Sequence, residues 1–215
     1  RADLPVLVSA YPGILFRFAL EGMLDRSGAD LLCLNSDQDF AQYRLGREAL
    51  GLSSDNAVVT GLPLLWNARS EQPLPDKPSI VFFEQPSIPV HPLQRRYICK
   101  QLKELAEAWP NHPVIFKPRT SSIESTLHRR HGEMAGVIER MSDTVPNLQL
   151  SFKPATRLLR QCGCAITVSS TAALEAMAMG VSTRIVGDLG VTETLGNYFF
   201  AESGAGADFA ASGRD

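Results

Sequence analysis

Short apolar runs alternate with longer amphipathic stretches along most of the chain. The clearest amphipathic stretch covers residues 92–109, where Ile98, Leu102, Leu105 and Trp109 recur at helical spacing with charged residues between them. The apolar runs are short and rich in β-branched and aromatic residues, which favours strands. Because strands that alternate with helices form parallel sheets with right-handed crossovers, the pattern predicts an α/β fold.

The pattern places strands and helices along the whole chain. Strands are predicted at Pro5–Ser9, Asp30–Leu34, Ala57–Thr60, Ser79–Phe83, Val114–Phe116, Leu148–Phe152, Ala165–Val168 and Thr183–Val186. Helices are predicted at Asp37–Leu50, Pro92–Trp109, Glu133–Met141, Ala155–Gln161 and Thr171–Met179. The second group of strands, from Ser79 onward, is expected to form a parallel sheet of about five or six strands.

A proline-rich segment, Leu64–Pro78, interrupts this alternation. It contains three prolines, which disfavour helix and stiffen a connection. We therefore predict two Rossmann-like units: a partial one at 1–66, a linker at 67–78 and a second unit at 79–215. The first unit has only about three strands, so we expect it to be incomplete and the parent protein to contain roughly 350 to 400 residues. The Gly- and Ala-rich tail, Ala201–Asp215, is predicted to be loosely ordered.

Composition narrows the class of protein. The 215 residues are 44% hydrophobic and 20% charged, as in ordinary globular proteins, and the formal charge of −2 gives no reason to expect a nucleic-acid partner. No apolar stretch has the length of a transmembrane segment, although peripheral membrane contact stays open. The four cysteines lack metal-site spacing and are expected to be reduced thiols, which favours a cytoplasmic location.

The run Cys164–Gly180, CAITVSSTAALEAMAMG, carries the most specific chemistry. A strand breaks into Ser169-Ser170-Thr171 and passes into a helix of small residues whose only charge is Glu175. Hydroxyls and unpaired backbone N–H groups at the positive end of a helix suit a phosphate. The alternative interpretation is an ordinary helix cap, because Ser and Thr commonly start helices.

Two other polar segments follow predicted strands. The segment Glu84-Gln85-Pro86 follows IVFF, shortly before His91 and its proline. Lys117 and Arg119 flank a proline after VIF, and Thr120 follows them. Two cations followed by hydroxyls predict an anion-binding loop, although solvated loop charges would look the same. Since parallel strands end at one edge of a sheet, we expect the cations and the Ser169–Thr171 turn to surround one concave site.

These segments together resemble nucleotide-sugar-dependent glycosyltransferases of the GT-B fold. The likeness lies in the VTGLP turn before a proline-rich linker, in the strand followed by Lys-Pro-Arg, and above all in SSTAALEAMAMG. It is greatest to bacterial polysaccharide-type enzymes related to polysialyl- and Kdo-transferases, and it covers most of residues 58–204. Those enzymes bind their donor in the C-terminal Rossmann-like domain through a Lys-Pro-His-Pro motif and a Ser-Ser/Thr motif.

The resemblance assigns roles to particular residues. It implies that Ser169–Thr171 hold the donor phosphate and that Lys117 begins the other motif. Arg119 stands where the family has histidine, and Thr120 stands where it has the second proline. A guanidinium grips phosphate but does not donate a proton near neutral pH, so phosphate binding is expected to survive without the acid role. Glu175 resembles the family's acid near the donor's sugar or ribose.

The resemblance also implies an activity. The enzyme would transfer a sugar from a nucleotide-sugar co-substrate to a saccharide or cell-envelope acceptor, in polysaccharide biosynthesis. Cations and helix-end N–H groups would stabilise the departing nucleotide, so neither a metal nor a further cofactor is expected. His91 is the candidate catalytic residue, and the acceptor's base is expected in the first domain. A sugar-nucleotide 2-epimerase of the same fold and a non-catalytic nucleotide or sugar-phosphate binding module stay open as alternatives.

Overall fold

The structure is a computed structural model that describes residues 5–11, 13–14, 18–66, 75–85, 87–119 and 132–209. The chain divides into two compact units, residues 1–67 and residues 68–215. None of the helices within the described ranges is long and apolar enough to cross a membrane.

The first unit contains a small parallel sheet. Its strands are β1 (Val8–Ala10), β2 (Leu31–Leu34) and β3 (Ala57–Val59), in the order β1-β2-β3. Helices α1 (Ala19–Asp25) and α2 (Asp37–Ala49) lie between them in the chain. The buried core consists of Tyr11, Met23, Leu32, Leu34 and Tyr43. The three predicted strands and α2 are confirmed, whereas α1 was missed because seven residues are too few to display a helical period.

The second unit contains a six-stranded sheet in which every pairing is parallel. The strands are β4 (Ser79–Phe83), β5 (Val114–Lys117), β6 (Leu148–Leu150), β7 (Cys162–Thr167), β8 (Ser182–Val186) and β9 (Gly206–Ala207). Their spatial order is β6-β5-β4-β7-β8-β9. Numbered within the unit this is 3-2-1-4-5-6, the order of a doubly wound Rossmann sheet. The predicted α/β class and strand number are confirmed.

Four helices accompany this sheet: α3 (Pro92–Ala108), α4 (Gly132–Ser142), α5 (Ala155–Leu159) and α6 (Ala172–Ala178). The central strand β4 is buried at all five positions. Its Ile80 and Phe82 belong to the core formed with α3 and α4, while Val81 and Phe83 belong to the core formed with α5 and α6. A strand buried on both faces reads as a continuous apolar run, and this explains the SIVFF sequence.

The predicted looseness of the tail is wrong for residues 206–209. Here β9 pairs with β8, and the backbone N–H of Gly187 donates to the carbonyl of Ala207 at 3.0 Å. The Phe209 ring is buried and stacks on Phe82 with 6.2 Å between ring centroids. A two-residue strand has no detectable hydrophobic period, so the sequence pattern could not predict it. Residues 210–215 lie outside the described ranges.

Leu102 and Leu93 offer a matched test of this core because both lie on α3. Leu102 is fully buried and Leu93 is 64% exposed. We expect Leu102→Ala to lower the free energy of unfolding by about 2–5 kcal/mol, because it removes buried methyl groups and leaves a cavity. We expect Leu93→Ala to change it by less than about 0.5 kcal/mol. Chemical denaturation followed by circular dichroism measures both, and equal effects would contradict this assignment of the core.

Candidate functional site

The carboxyl ends of three neighbouring strands meet at one edge of the second sheet. Glu84 directly follows β4, Lys117 is the last residue of β5, and Ser169 lies two residues beyond β7. The strand order reverses between β4 and β7, because β5 and β6 lie to one side of β4 while β7, β8 and β9 lie to the other. In doubly wound sheets, ligands bind in the crevice outside the carboxyl ends at such a reversal point.

Glu84 is the most unusual side chain at this edge. It is only 5% exposed, although it is a carboxyl group. The nearby backbone N–H of Arg119 favours the ionised carboxylate, and among the described residues Oε1 has no hydrogen-bond partner. Burial raises the pKa of Glu84 to about 7, against the opposing influence of Arg95 and Lys117. Glu84 therefore sits close to half protonation at neutral pH.

Lys117 and Arg119 extend this cluster from the end of β5. The carbonyl of Lys117 accepts a hydrogen bond from the backbone N–H of Glu84 at 3.0 Å, and its Nζ donates to the carbonyl of Pro118 at 2.6 Å. Partial burial lowers the pKa of Lys117, while nearby Glu84 raises it and nearby Arg119 lowers it further. The side chain of Arg119 is exposed. Two cations and one carboxyl group thus interact electrostatically at this edge.

On the other side of β4, hydrogen bonds fix the turn between β7 and α6. The hydroxyl of Thr167 donates to the carbonyl of Phe83 at 2.7 Å and accepts from the backbone N–H of Ser170 at 3.1 Å. The Oγ of Ser170 accepts from the backbone N–H of Ala172 at 3.3 Å. Ser170 therefore acts as an ordinary helix cap for α6, which was the alternative interpretation of this segment. Thr171 is the N-cap residue, but it makes no side-chain capping bond.

Ser169 differs from its neighbours in the turn. Its side chain is 2% exposed, and its Oγ has no hydrogen-bond partner within the described ranges. Gly196 packs over it: a Cβ at position 196 would lie 3.5 Å from this Oγ and 3.6 Å from Cδ1 of Ile88. The φ of Gly196 is +66°, which favours glycine at this position. Ser169 thus contributes a buried hydroxyl for which the described residues provide no partner.

The remaining predicted site residues have mixed surroundings. Glu175 is half-buried on α6, and burial raises its pKa. Gln85 is half-buried and forms an isolated bridge with Ile88. His91 is exposed and caps α3, since its Nδ1 accepts from the backbone N–H of Leu93 at 3.2 Å. Thr120 lies outside the described residues.

The structure brings the two predicted halves of the site to the same sheet edge without joining them directly. Among the described residues, no hydrogen bond links the side chains of Lys117 or Arg119 to the Ser169–Thr171 turn. Strand β4 lies between them, and its last residue Phe83 is bonded to the turn through Thr167 while Glu84 is bonded to the Lys117 segment. Glu84 belongs to the Glu84-Gln85-Pro86 segment that the sequence placed at this edge, although no role was predicted for its carboxyl group. The signal in the sequence was a carboxyl group directly after four buried apolar residues, Ile80–Phe83.

A cavity lies at the opposite, amino-terminal edge of the sheet. Its volume is about 250 Å³, and its lining includes Trp109, His112, Cys164 and Arg184. None of the predicted site residues lines it. Within the part of the chain that the structure describes, no group of three His, Cys, Asp or Glu side chains is arranged to hold a metal ion.

The sequence matches one family model over residues 1–211, described as "Putative glycosyltransferase (DUF6716)". No curated protein shows significant sequence similarity to the chain.

Three solved structures illustrate what the chain is similar to, each at low sequence identity. The pneumococcal O-GlcNAc transferase GtfA, solved with UDP and GlcNAc, has a TM-score of 0.47 and 11% identity over 78% of this chain. A variant of S. aureus TarM, solved with UDP and two glycan ligands, has a TM-score of 0.40 and 11% identity over 77% of it. Anabaena HepE, solved with UDP and glucose, has a TM-score of 0.41 and 14% identity over 96% of it. The chain spans 32%, 31% and 65% of these proteins, respectively.

The hydroxyl of Thr167 provides a test of how the turn is held. We expect Thr167→Val, which keeps the shape but removes both hydrogen bonds, to lower the free energy of unfolding by about 1–3 kcal/mol. The amide of Ser170 should then exchange with solvent faster, as hydrogen exchange would measure. Thr183→Val is the matched control, because that half-buried hydroxyl makes only one bond, to the carbonyl of Val181. An unchanged Ser170 amide in Thr167→Val would contradict the bridging role.

Glu84 should make the stability of the protein depend on pH. Its folded pKa of about 7 lies above the ordinary value of 4.5, so the folded state binds the proton more tightly than the unfolded state. The contribution of Glu84 to the free energy of unfolding is therefore largest below pH 4.5. It falls as the pH rises through 7, by about 3 kcal/mol in total. We expect Glu84→Gln to remove this decline in denaturation curves recorded from pH 4.5 to pH 8.

The exposed Glu139 supplies the control for that experiment. Glu139→Gln should retain the wild-type pH dependence, since its carboxyl stays in solvent in both states. Parallel curves for wild type and Glu84→Gln would show that Glu84 titrates at its ordinary pKa in the folded protein.

Proposed function

Because the chain belongs to this family of putative glycosyltransferases, we propose that it transfers a sugar from a nucleotide-sugar donor to a saccharide or cell-envelope acceptor. The donor binds at the carboxyl edge of the second sheet, in the crevice between β4 and β7. The observation that carries this proposal is the convergence of cations and hydroxyls at the point where the strand order reverses.

Each side of the crevice offers a different kind of phosphate contact. On the β5 side, Lys117 and Arg119 provide positive charge, and a guanidinium can hold a phosphate through two parallel hydrogen bonds. On the β7 side, Ser169 has an unused hydroxyl and Thr171 makes no capping bond. Ser170 contributes less to ligand binding, because its side chain already caps α6. Gln85 and Glu175 border the same edge and are available to the nucleoside or the sugar.

The proposed chemistry is electrostatic stabilisation of a leaving group. When the bond between the anomeric carbon and the phosphate oxygen breaks, negative charge builds on the phosphate while the sugar becomes cationic. Positively charged groups that are already in place lower the free energy of that transition state. Lys117 and Arg119 can supply this charge, so the proposal requires no metal. The base that deprotonates the acceptor is proposed to come from outside the second unit.

Nucleotide binding gives the first test. A thermal-shift panel of CMP, UDP, GDP and their sugars should identify a stabilising compound, by about 2.7 kcal/mol at one hundred times its dissociation constant. Calorimetric titration of Arg119→Ala should then show binding weaker by about 1.5–3 kcal/mol, because a charge-assisted hydrogen bond is lost. Arg140→Ala is the control: Arg140 is exposed near the end of α4, which returns the chain to the amino edge of the sheet.

Each outcome separates the proposed transferase from its competitors. Equal affinities for Arg119→Ala and Arg140→Ala would make Arg119 an ordinary solvated side chain and leave donor binding to the other residues. Binding of a nucleotide sugar without transfer or hydrolysis would favour a non-catalytic binding module, and conversion of the sugar at its second carbon would favour an epimerase. Failure of every nucleotide to bind would overturn the proposed site.

A further inference from the structure

Two buried side-chain oxygens lack a hydrogen-bond partner in the described part of the chain: Oε1 of Glu84 and Oγ of Ser169. Their residues are 5% and 2% exposed, respectively. A buried polar atom left unpaired costs about 1–3 kcal/mol, so such atoms are rare in folded proteins. Both follow the strands that flank the reversal of strand order, β4 and β7. Their shared position points to a ligand rather than to two unrelated packing defects.

Glu84 has one oxygen for which the described part of the fold provides no hydrogen bond. The nearby backbone N–H of Arg119 favours the ionised carboxylate, but Oε1 has no hydrogen-bond partner among the described residues. A ligand bound at this edge of the sheet would supply the missing partner.

The surroundings of Glu84 indicate what kind of molecule that is. The groups that act on it are Arg95 from α3, together with Lys117 and the backbone of Arg119 from the end of β5. Arg95 is itself buried, and its Nε donates to the carbonyl of Pro89 at 2.8 Å. The charged side chains that act on Glu84, Arg95 and Lys117, are both cationic, which favours an anionic ligand beside it over a neutral one. Elsewhere the same edge also carries acidic side chains, Glu175 on α6 and Asp188 after β8.

An ionised carboxylate would repel such an anion, whereas a protonated one would bind it. A carboxylic acid has one O–H donor, which an oxygen of a phosphate can accept. Burial already raises the pKa of Glu84 to about 7, so the protonated form is readily available at neutral pH. A phosphate next to the carboxyl would raise that pKa further, because a like charge disfavours ionisation.

We propose that Glu84, in its protonated form, donates a hydrogen bond to a phosphate oxygen of the bound nucleotide, so that nucleotide binding takes up a proton at this carboxyl group. This inference rests on the proposed donor site and adds a residue and a proton to it. Binding should consequently be tighter in mildly acidic solution than in alkaline solution. The carboxyl group acts here as a binding group, and no bond of the substrate is made or broken by it.

The titration of Glu84 itself gives the most direct test. Glutamate labelled with carbon-13 at the side-chain carboxyl allows each group to be followed by NMR as a function of pH. We expect one resonance, absent in Glu84→Gln, to titrate near pH 7 in the free protein and at least about one pH unit higher with saturating nucleotide sugar. UDP-glucose, GDP-mannose and CMP-N-acetylneuraminate are the probes, tested in parallel. Each phosphate of these probes carries a single acidic oxygen that is ionised well below neutral pH, so the probes themselves do not titrate in this range.

Affinity measurements give the matched functional readout. The dissociation constant of the wild type should rise about tenfold between pH 6 and pH 9, if the bound nucleotide raises the pKa of Glu84 by one unit. Glu84→Gln should keep nearly the same affinity at both pH values, because its amide is always neutral. Glu139→Gln, exposed on α4, should behave as the wild type does. Calorimetry of the wild type in buffers of different ionisation enthalpy would detect the proton uptake even if Glu84→Gln does not fold.

The outcomes distinguish this inference from the function on which it rests. If a nucleotide sugar binds but the Glu84 resonance does not move, or moves to lower pH, Glu84 is not a protonated phosphate ligand and the inference is overturned while the donor site stands. A downward shift would identify an ionised carboxylate that accepts from a ligand hydroxyl. If none of the three probes binds, the donor site fails, and the inference fails with it.

Discussion

The parallel pairing of β4 with β5 on one side and β7 on the other is the constraint on which the second unit depends. Parallel neighbours end at the same edge, so residues far apart in the sequence are brought together after Phe83, Lys117 and Thr167. The reversal of strand order at β4 also separates the connecting chains above this edge, and a crevice is the ordinary consequence. Without this pairing, neither the cations nor the hydroxyls would have any defined relation to one another.

Burial of β4 on both faces has a further consequence for the polar residues that follow it. Alternate side chains of the strand enter two different cores, and Glu84 is the first residue beyond them. The Glu84 side chain still lies in an environment that is shielded from solvent, and this desolvation raises its pKa. The carboxyl group is thus held in an energetically unfavourable position by the packing of the strand before it, and Arg95 and Lys117 only partly offset that cost.

The serine and threonine residues at the end of β7 and directly after it differ in whether the fold uses their hydroxyls. The hydroxyl of Thr167 bridges two backbone groups, and that of Ser170 caps α6, so both satisfy the fold. The Oγ of Ser169 has no hydrogen-bond partner among the described residues, although it is the most deeply buried hydroxyl of the Ser169–Thr171 turn. A sequence motif of three hydroxyl residues therefore does not describe three equivalent ligands. Hydrogen bonding within the protein decides which of them remains available.

Local sequence patterns determined most of the helices and strands of this protein. The apolar run of β4, the helical period of α3 and the small residues of α6 each have a period or composition that shows within one element, and those elements were predictable for that reason. The order of the elements likewise determined the α/β class, and with it the expectation that Lys117 and Ser169 would share a sheet edge. The short helix α1 and the two-residue strand β9 were not predicted, because neither is long enough to display a hydrophobic period.

Tertiary structure alone decided the character of the individual site residues. Desolvation of Glu84 and the burial of the unpaired Ser169 hydroxyl both depend on atoms contributed by other elements of the fold. The burial of Phe209 against Phe82 depends in the same way on residues more than a hundred positions apart. Sequence specifies which groups a chain carries and which local element holds them. Whether each group is paired, buried or free is a property of long-range packing, and no local pattern records it.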